Sequence, residues 1–79
     1  MVTSIDRLRA GQSGVVRSVV GGRGIVHKLE AMGLRPGKVL VKVSSQFMGG
    51  PTIVTVDGRQ LAMGRGMAVR VFVEPEGDP

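Results

Sequence analysis

The chain has 79 residues, a formal net charge of +5 and no cysteine. A chain of this length forms one domain with a small core and little room for an enclosed active site, and without cysteine it has neither disulfides nor a thiolate nucleophile. Because no apolar segment is long enough for a signal peptide or a membrane span, we expect a cytoplasmic protein that is not membrane-embedded and is not an enzyme.

The basic charge is concentrated before the last six residues. Residues 1–73 carry 11 basic and 3 acidic side chains, an excess of +8, whereas residues 74–79 are acidic. Such a surface favours anionic partners, which include nucleic acid, an anionic membrane face and an acidic protein patch. Only Phe47 and Phe72 are available to stack on bases, which argues against single-stranded nucleic acid as the partner.

The first predicted strand is "GVVRSVV", residues 14–20, because it is rich in β-branched residues and is followed by two glycines. The period then changes to that of a helix. Ile25, Leu29 and Met32 fall on one helical face, with His27 on the opposite face. We therefore predict a helix that packs on one side and is solvated on the other.

The stretch "MGLRPG" predicts an abrupt end to this helix. Gly33 is suited to the left-handed conformation that terminates helices, and Pro36-Gly37 suits the central positions of a type II turn. In "KVLVKVS", residues 38–44, the alternation predicts a strand that buries its valines and exposes its lysines. The residues concerned are Val39, Val41 and Val43 on one face, and Lys38 and Lys42 on the other.

Two further strands flank Asp57-Gly58, a strong hairpin signal, and "AVRVFV", residues 68–73, supplies the last one. The predicted fold is therefore mostly β: a small five-stranded barrel with one short helix inserted between strands 1 and 2. Residues 1–73 form the domain, and residues 74–79 form an acidic, flexible tail. The predicted shared core comprises Ile25, Leu29, Met32, Val41, Val56 and Val71.

The sequence contains no recognisable catalytic or metal-binding set. His27 is the only histidine, and no thiol or carboxylate cluster has the spacing of metal ligands. We therefore expect no cofactor and no dedicated metal site. "GGRG", residues 21–24, resembles a backbone anion clamp at a helix start, but a strand precedes it, and a short glycine match is weak without its context.

The order and spacing of "LEAMGLRPGKVL" and "GGPTIVTVDGRQLAMGRGMAVRVFV" resemble the FeoA family over residues 8–73. The resemblance implies an SH3-like barrel and a cytosolic accessory protein of ferrous iron uptake. It also implies a partner, the cytosolic part of the membrane transporter FeoB, whose activity the protein would modulate.

We predict that the docking surface combines the outer face of the helix, the turn that follows it and an apolar hairpin tip. Loop tips often carry binding function, and a phenylalanine beside a methionine would form a small apolar anchor there. The predicted partner-binding residues are Arg23, His27, Glu30, Ala31, Arg35, Phe47 and Met48.

Alternatives remain open at this level. The helix face could be structural only, and the chain could be a basic nucleic-acid-binding barrel. An activator of the partner GTPase would use Arg23, Arg35 or Arg65, and a weak homo-oligomer is also compatible with the sequence. The pattern does not determine whether the chain binds a transition metal, or whether it activates or inhibits the transporter.

Overall fold

The structure is a computed structural model that describes residues 1–44 and 50–76. In this part of the chain, one antiparallel sheet has the strand order β1-β6-β2-β3-β4-β5. Its strands are β1 (Thr3–Ser4), β2 (Ser13–Val19), β3 (Val39–Ser44), β4 (Thr52–Val56), β5 (Arg59–Met63) and β6 (Val71–Glu76). The helices are α1 (Arg23–Ala31) and the short α2 (Arg65–Ala68), and a 3-10 turn spans Ile5–Arg7.

The predicted mostly-β fold with a helix after the first long strand is confirmed, but the predicted strand number and closure are wrong. The two-residue β1 pairs with β6, and it is too short to show a periodic signal. Within the described residues β1 and β5 do not pair, so the sheet is open. Ile5 of the 3-10 turn and Ala68 of α2 are fully buried, so two short helical segments cover the core instead of a closing strand pair.

The last strand begins later than the sequence pattern suggested. Gly64 precedes α2, and its carbonyl accepts hydrogen bonds from the amides of Met67 and Ala68, each at 3.0 Å. This turn places Ala68 in the core, so the extended conformation starts only at Val71. β6 then continues to Glu76 and pairs with β2, so residues 74–76, which we predicted as tail, belong to the sheet. Residues 77–79 lie outside the described residues.

Strand β3 has the opposite orientation to the predicted one. Val39, Val41 and Val43 are 50%, 38% and 40% exposed, whereas Leu40 and Lys42 are buried. Side chains alternate between the two faces of a strand, so placing Leu40 in the core also places Lys42 there. Val41 is therefore not a core residue.

Lys42 is accommodated by backbone oxygens at the start of the chain. Its Nζ donates hydrogen bonds to the carbonyl oxygens of Ile5 and Asp6, at 3.1 Å and 3.0 Å. Burial lowers the pKa of the Lys42 ammonium because it penalises the charged form, and nearby Asp6 partly offsets this effect. The lysine thus joins β3 to the 3-10 turn.

The predicted packing of α1 is confirmed. Leu29 is fully buried, and Ile25 and Met32 pack against the core from the same side of the helix. His27 is exposed on the other side. Of the remaining predicted core residues, Val56 and Val71 are buried.

Candidate docking site

The end of α1 is fixed by a glycine and a pair of leucines. Gly33 has a φ of +100°, its amide donates to the carbonyl oxygen of Glu30 at 3.0 Å, and the amide of Leu34 donates to that of Leu29 at 3.1 Å. This pair of bonds is the Schellman motif, in which a left-handed glycine closes the helix. Leu29 and Leu34 are both fully buried, so the motif also ties the helix end to the core.

A tight turn leads from this helix end into β3. The amide of Lys38 donates to the carbonyl oxygen of Arg35 at 3.0 Å, and Gly37 has a φ of +95°, as the predicted type II turn around Pro36-Gly37 requires. The amide of Gly37 also donates to the carbonyl oxygen of Val16 at 2.7 Å, which holds the turn against β2.

The hairpin between β4 and β5 also lies next to the end of α1. Asp57 and Gly58 have φ values of +53° and +74°, and Val56 pairs with Arg59. Two positive φ angles in a two-residue loop are the signature of a type I′ turn. This turn directs the backbone so that Asp57 and Arg59 flank the end of α1.

Together these three segments form a groove with a volume of about 240 Å³. We call it the docking groove and define it by its lining residues: Glu30, Ala31, Gly33, Arg35, Lys38, Asp57 and Arg59. Its lining includes three basic and two acidic side chains, so its formal charge is positive.

Hydrogen bonds and an ion pair fix the charged side chains of the groove. The Arg35 Nε donates to the carbonyl oxygen of Glu30, and the Arg59 Nη2 to that of Met32, each at 3.3 Å. Both guanidinium groups therefore lie at the negative end of the α1 dipole, where positive charge is favoured. The Lys38 Nζ lies 3.1 Å from the Asp57 Oδ1.

Gly33 lies on the floor of the groove, close to side chains of opposite charge. A Cβ at this position would lie 3.5 Å from both the Arg59 Nη2 and the Asp57 Oδ2. A substitution here would also be strained, because φ is positive. The glycine is therefore required by the backbone at the helix end, whereas a Cβ would only make ordinary van der Waals contact with the two charged side chains.

The structure brings together only some of the predicted partner-binding residues. Glu30, Ala31 and Arg35 line the groove. Arg23 and His27 are exposed on α1. With Ala31 they are spaced four residues apart, so the three residues lie along one face of the helix. Arg23 is at the start of α1, about 12 Å along the helix axis from Ala31. Phe47 and Met48 lie outside the described residues, so their anchoring role stays a prediction.

Sequence reasoning missed Lys38, Asp57 and Arg59 as members of this site. The sequence pattern predicts only a solvated strand residue at Lys38 and only a turn at Asp57. Their meeting depends on how the β4–β5 hairpin lies against the end of α1, which no local pattern specifies. The one available signal was charge at both hairpin positions beside the turn glycine, "DGR".

Within residues 1–44 and 50–76, no three His, Asp or Glu side chains are close enough to hold a metal ion, and the absence of a dedicated metal site stays a prediction. None of the helices described is both long and apolar enough to cross a bilayer.

Residues 3–75 match the model of the FeoA domain. The chain belongs to the FeoA family. This match covers nearly the whole chain and confirms the resemblance seen in the two sequence blocks around the helix end and the hairpin.

Individual relatives of this FeoA-family chain are similar over most of their length. A Methanocaldococcus jannaschii protein, named as a candidate Fe(2+) transport protein A, is 32% identical over 66 residues, which are 84% of this chain and 78% of the relative. A crystal structure of an iron uptake regulatory protein, FeoA, is 36% identical and superposes with a TM-score of 0.88, covering 95% of this chain and 99% of that one.

The Stenotrophomonas maltophilia FeoA, solved in complex with zinc, is 26% identical with a TM-score of 0.79, covering 91% of this chain and 89% of that one. It is described as a prokaryotic SH3 domain protein and as a candidate activating factor of bacterial ferrous iron transport. The SH3-like class predicted for this chain is therefore confirmed, with the open six-stranded sheet as its form here.

Proposed function

We propose that this FeoA-family chain is a non-catalytic accessory protein of ferrous iron uptake that docks on the cytosolic part of a FeoB-type transporter and modulates its activity. The observation that carries this proposal is the match to the FeoA domain over residues 3–75. The names of the relatives, which concern Fe(2+) transport and iron uptake regulation, support the same role. A cytoplasmic location belongs to the proposal.

The docking groove is the surface that we assign to this contact. It contains three of the predicted partner-binding residues, Glu30, Ala31 and Arg35, and adds three further charged side chains. Exposed charges at a protein interface chiefly speed the encounter and fix orientation, and they add less to affinity. The groove would therefore recruit an acidic surface of the transporter and orient the outer face of α1 towards it.

Surface plasmon resonance on the immobilised cytosolic part of the transporter tests this function. Arg35→Glu should slow association by roughly three- to tenfold at low ionic strength, because it reverses a charge in the groove. The effect should shrink as salt is added, since exposed charges are screened.

Arg17→Glu is the matched control because Arg17 is exposed on β2 and does not line the groove. It makes the same change in net charge and should slow association much less. Absence of binding by the wild-type chain would contradict the proposed partner. Equal effects of the two reversals would contradict the groove as the contact surface.

A further inference from the structure

We propose that the docking groove is a receptor for carboxylate side chains of an acidic protein segment, and that Asp57 occupies the carboxylate position while no partner is bound. The inference deepens the proposed function, on which it rests for the identity of the partner. The carboxylate chemistry itself is argued from the groove alone.

The position of Asp57 shows where a carboxylate fits. Its Oδ1 lies 3.1 Å from the Lys38 Nζ, and its Oδ2 and the Arg59 Nη2 lie at equal distances, 3.5 Å, from the Cβ position of Gly33. One carboxylate is thus paired with the Lys38 ammonium, and the Arg59 guanidinium lines the same groove without forming an ion pair with that carboxylate among the described residues. An external carboxylate in the same place would pair with Lys38 and lie in the groove that Arg59 lines.

The groove retains donors for such a ligand. Among the described residues, Arg35 uses its Nε and Arg59 its Nη2 for backbone carbonyls, and Lys38 uses its ammonium for Asp57. An arginine side chain carries five N–H donors and a lysine three. With respect to residues 1–44 and 50–76, most donors of these three cations are therefore available, and a guanidinium fork matches the two oxygens of a carboxylate.

Exchange of Asp57 for an external carboxylate is easy because the internal pair is exposed. The side chains of Lys38 and Asp57 are 44% and 46% exposed, and ion pairs at such positions contribute little to stability. The turn does not depend on the pair, since an aspartate or asparagine followed by glycine adopts the type I′ conformation through its backbone. Asp57 can therefore leave Lys38 while the hairpin keeps its shape.

The same lining favours a carboxylate over the phosphates of a nucleic acid. Glu30 and Asp57 face the groove together with the three cations, so its formal charge is only +1, and a closely spaced row of phosphates would meet two like charges. A single external carboxylate that takes the place of the Asp57 carboxylate leaves Lys38 paired with one negative charge, as before. The groove is thus matched to isolated acidic side chains.

The test uses a short peptide of alternating glutamate and glycine, capped at both ends, and isothermal titration to the full chain at about 0.1 M ionic strength, where the Debye length is about 10 Å. Asp57→Asn removes the internal competitor and should bind the peptide about two- to fivefold more tightly than wild type. Arg59→Gln and Lys38→Gln should each bind it about two- to fivefold more weakly. Thermal melts of the three variants verify that each is folded.

Two substitutions outside the groove control for net charge. Glu76→Gln makes the same charge change as Asp57→Asn, and Arg17→Gln the same as Arg59→Gln, yet neither position lines the groove. Both controls should bind the peptide within a factor of about 1.5 of wild type, because distant exposed charges are screened. The same capped peptide with glutamine in place of each glutamate should not bind.

The proposal is overturned if Asp57→Asn binds the peptide no more tightly than Glu76→Gln, or if Arg17→Gln weakens binding as much as Arg59→Gln. It is also overturned if a short polyphosphate binds better than the peptide and loses the same affinity in Arg59→Gln. These results concern the groove alone, whereas binding to the transporter is measured separately, so failure of either proposal is distinguishable from failure of the other.

Discussion

At the scale of single residues, Lys42 is the least expected feature of the core. It is 1% exposed, although an isolated lysine on an alternating strand normally faces solvent. Its two hydrogen bonds, to the carbonyl oxygens of Ile5 and Asp6, offset part of the cost of burying the charged group, which would be larger if the ammonium had no partners.

The lowered pKa of Lys42 predicts a specific pH dependence of stability. The ordinary pKa of a lysine is 10.5. Below the folded-state pKa, Lys42 is protonated in both the folded and the unfolded chain, so the folded state carries the full cost of burying the charge. As pH rises through the folded-state pKa towards 10.5, the unfolded state binds more protons, so the free energy of unfolding increases. A neutral amine still has two N–H donors for the two carbonyl oxygens.

Urea unfolding across this alkaline window, on wild type and on Lys42→Met, measures the effect. The free energy of unfolding of wild type should rise relative to that of the methionine variant as pH increases. A difference between the two proteins that stays constant or falls with pH would show that burial does not lower the pKa of this lysine.

At the scale of elements, α1 was predictable because its signals are local. The spacing of Ile25, Leu29 and Met32 gives the buried face, and Gly33 gives the end. In β3 the valines lie on one face of the strand and Leu40 and Lys42 on the other, and the local pattern allows either face to be buried. Only the packing of Leu40 in the core determines which face is buried. A pattern with period two specifies two faces and does not by itself say which is buried.

Two substitutions separate these cases. Leu29→Ala should lower the free energy of unfolding by about 2 to 5 kcal/mol, because it leaves a cavity beside a fully buried position. Val41→Thr should change it by only about 0.5 kcal/mol or less, because Val41 is 38% exposed and threonine is also β-branched. Chemical denaturation of both variants decides whether β3 has the orientation described here, and a large loss in Val41→Thr would contradict it.

At the scale of the whole molecule, the family and the mostly-β class could be predicted from two sequence blocks, whereas the groove could not. Of the residues missed, Lys38 is 19 positions from Asp57 in the chain, and it meets Asp57 and Arg59 because the turn after α1 and the β4–β5 hairpin lie side by side. The barrel closure was wrong for a similar reason. Whether the first and last edges of a sheet pair depends on the helical segments around Ile5 and Ala68, whose short sequences carry little periodic signal.

Three of the basic side chains of this chain line the docking groove. Residues 1–73 carry 11 basic and 3 acidic side chains, and such a field attracts acidic surfaces in general. The groove adds local geometry, because three of these cations line it together with two carboxylates, and one cation, Lys38, is paired with Asp57. Attraction by the overall positive charge should weaken equally whichever arginine is replaced. Recognition by the groove should weaken only when a groove arginine is replaced.

The most direct test of the central claim, that this chain modulates ferrous iron uptake through the docking groove, is the uptake rate of radiolabelled ferrous iron in iron-limited cells that lack the protein. We predict that removal changes the rate and that wild type and Arg17→Gln restore it. The double variant Arg35→Gln/Arg59→Gln, expressed at the same level, should fail to do so. Uptake that is unchanged by removal of the protein, or fully restored by the double variant, would contradict the account.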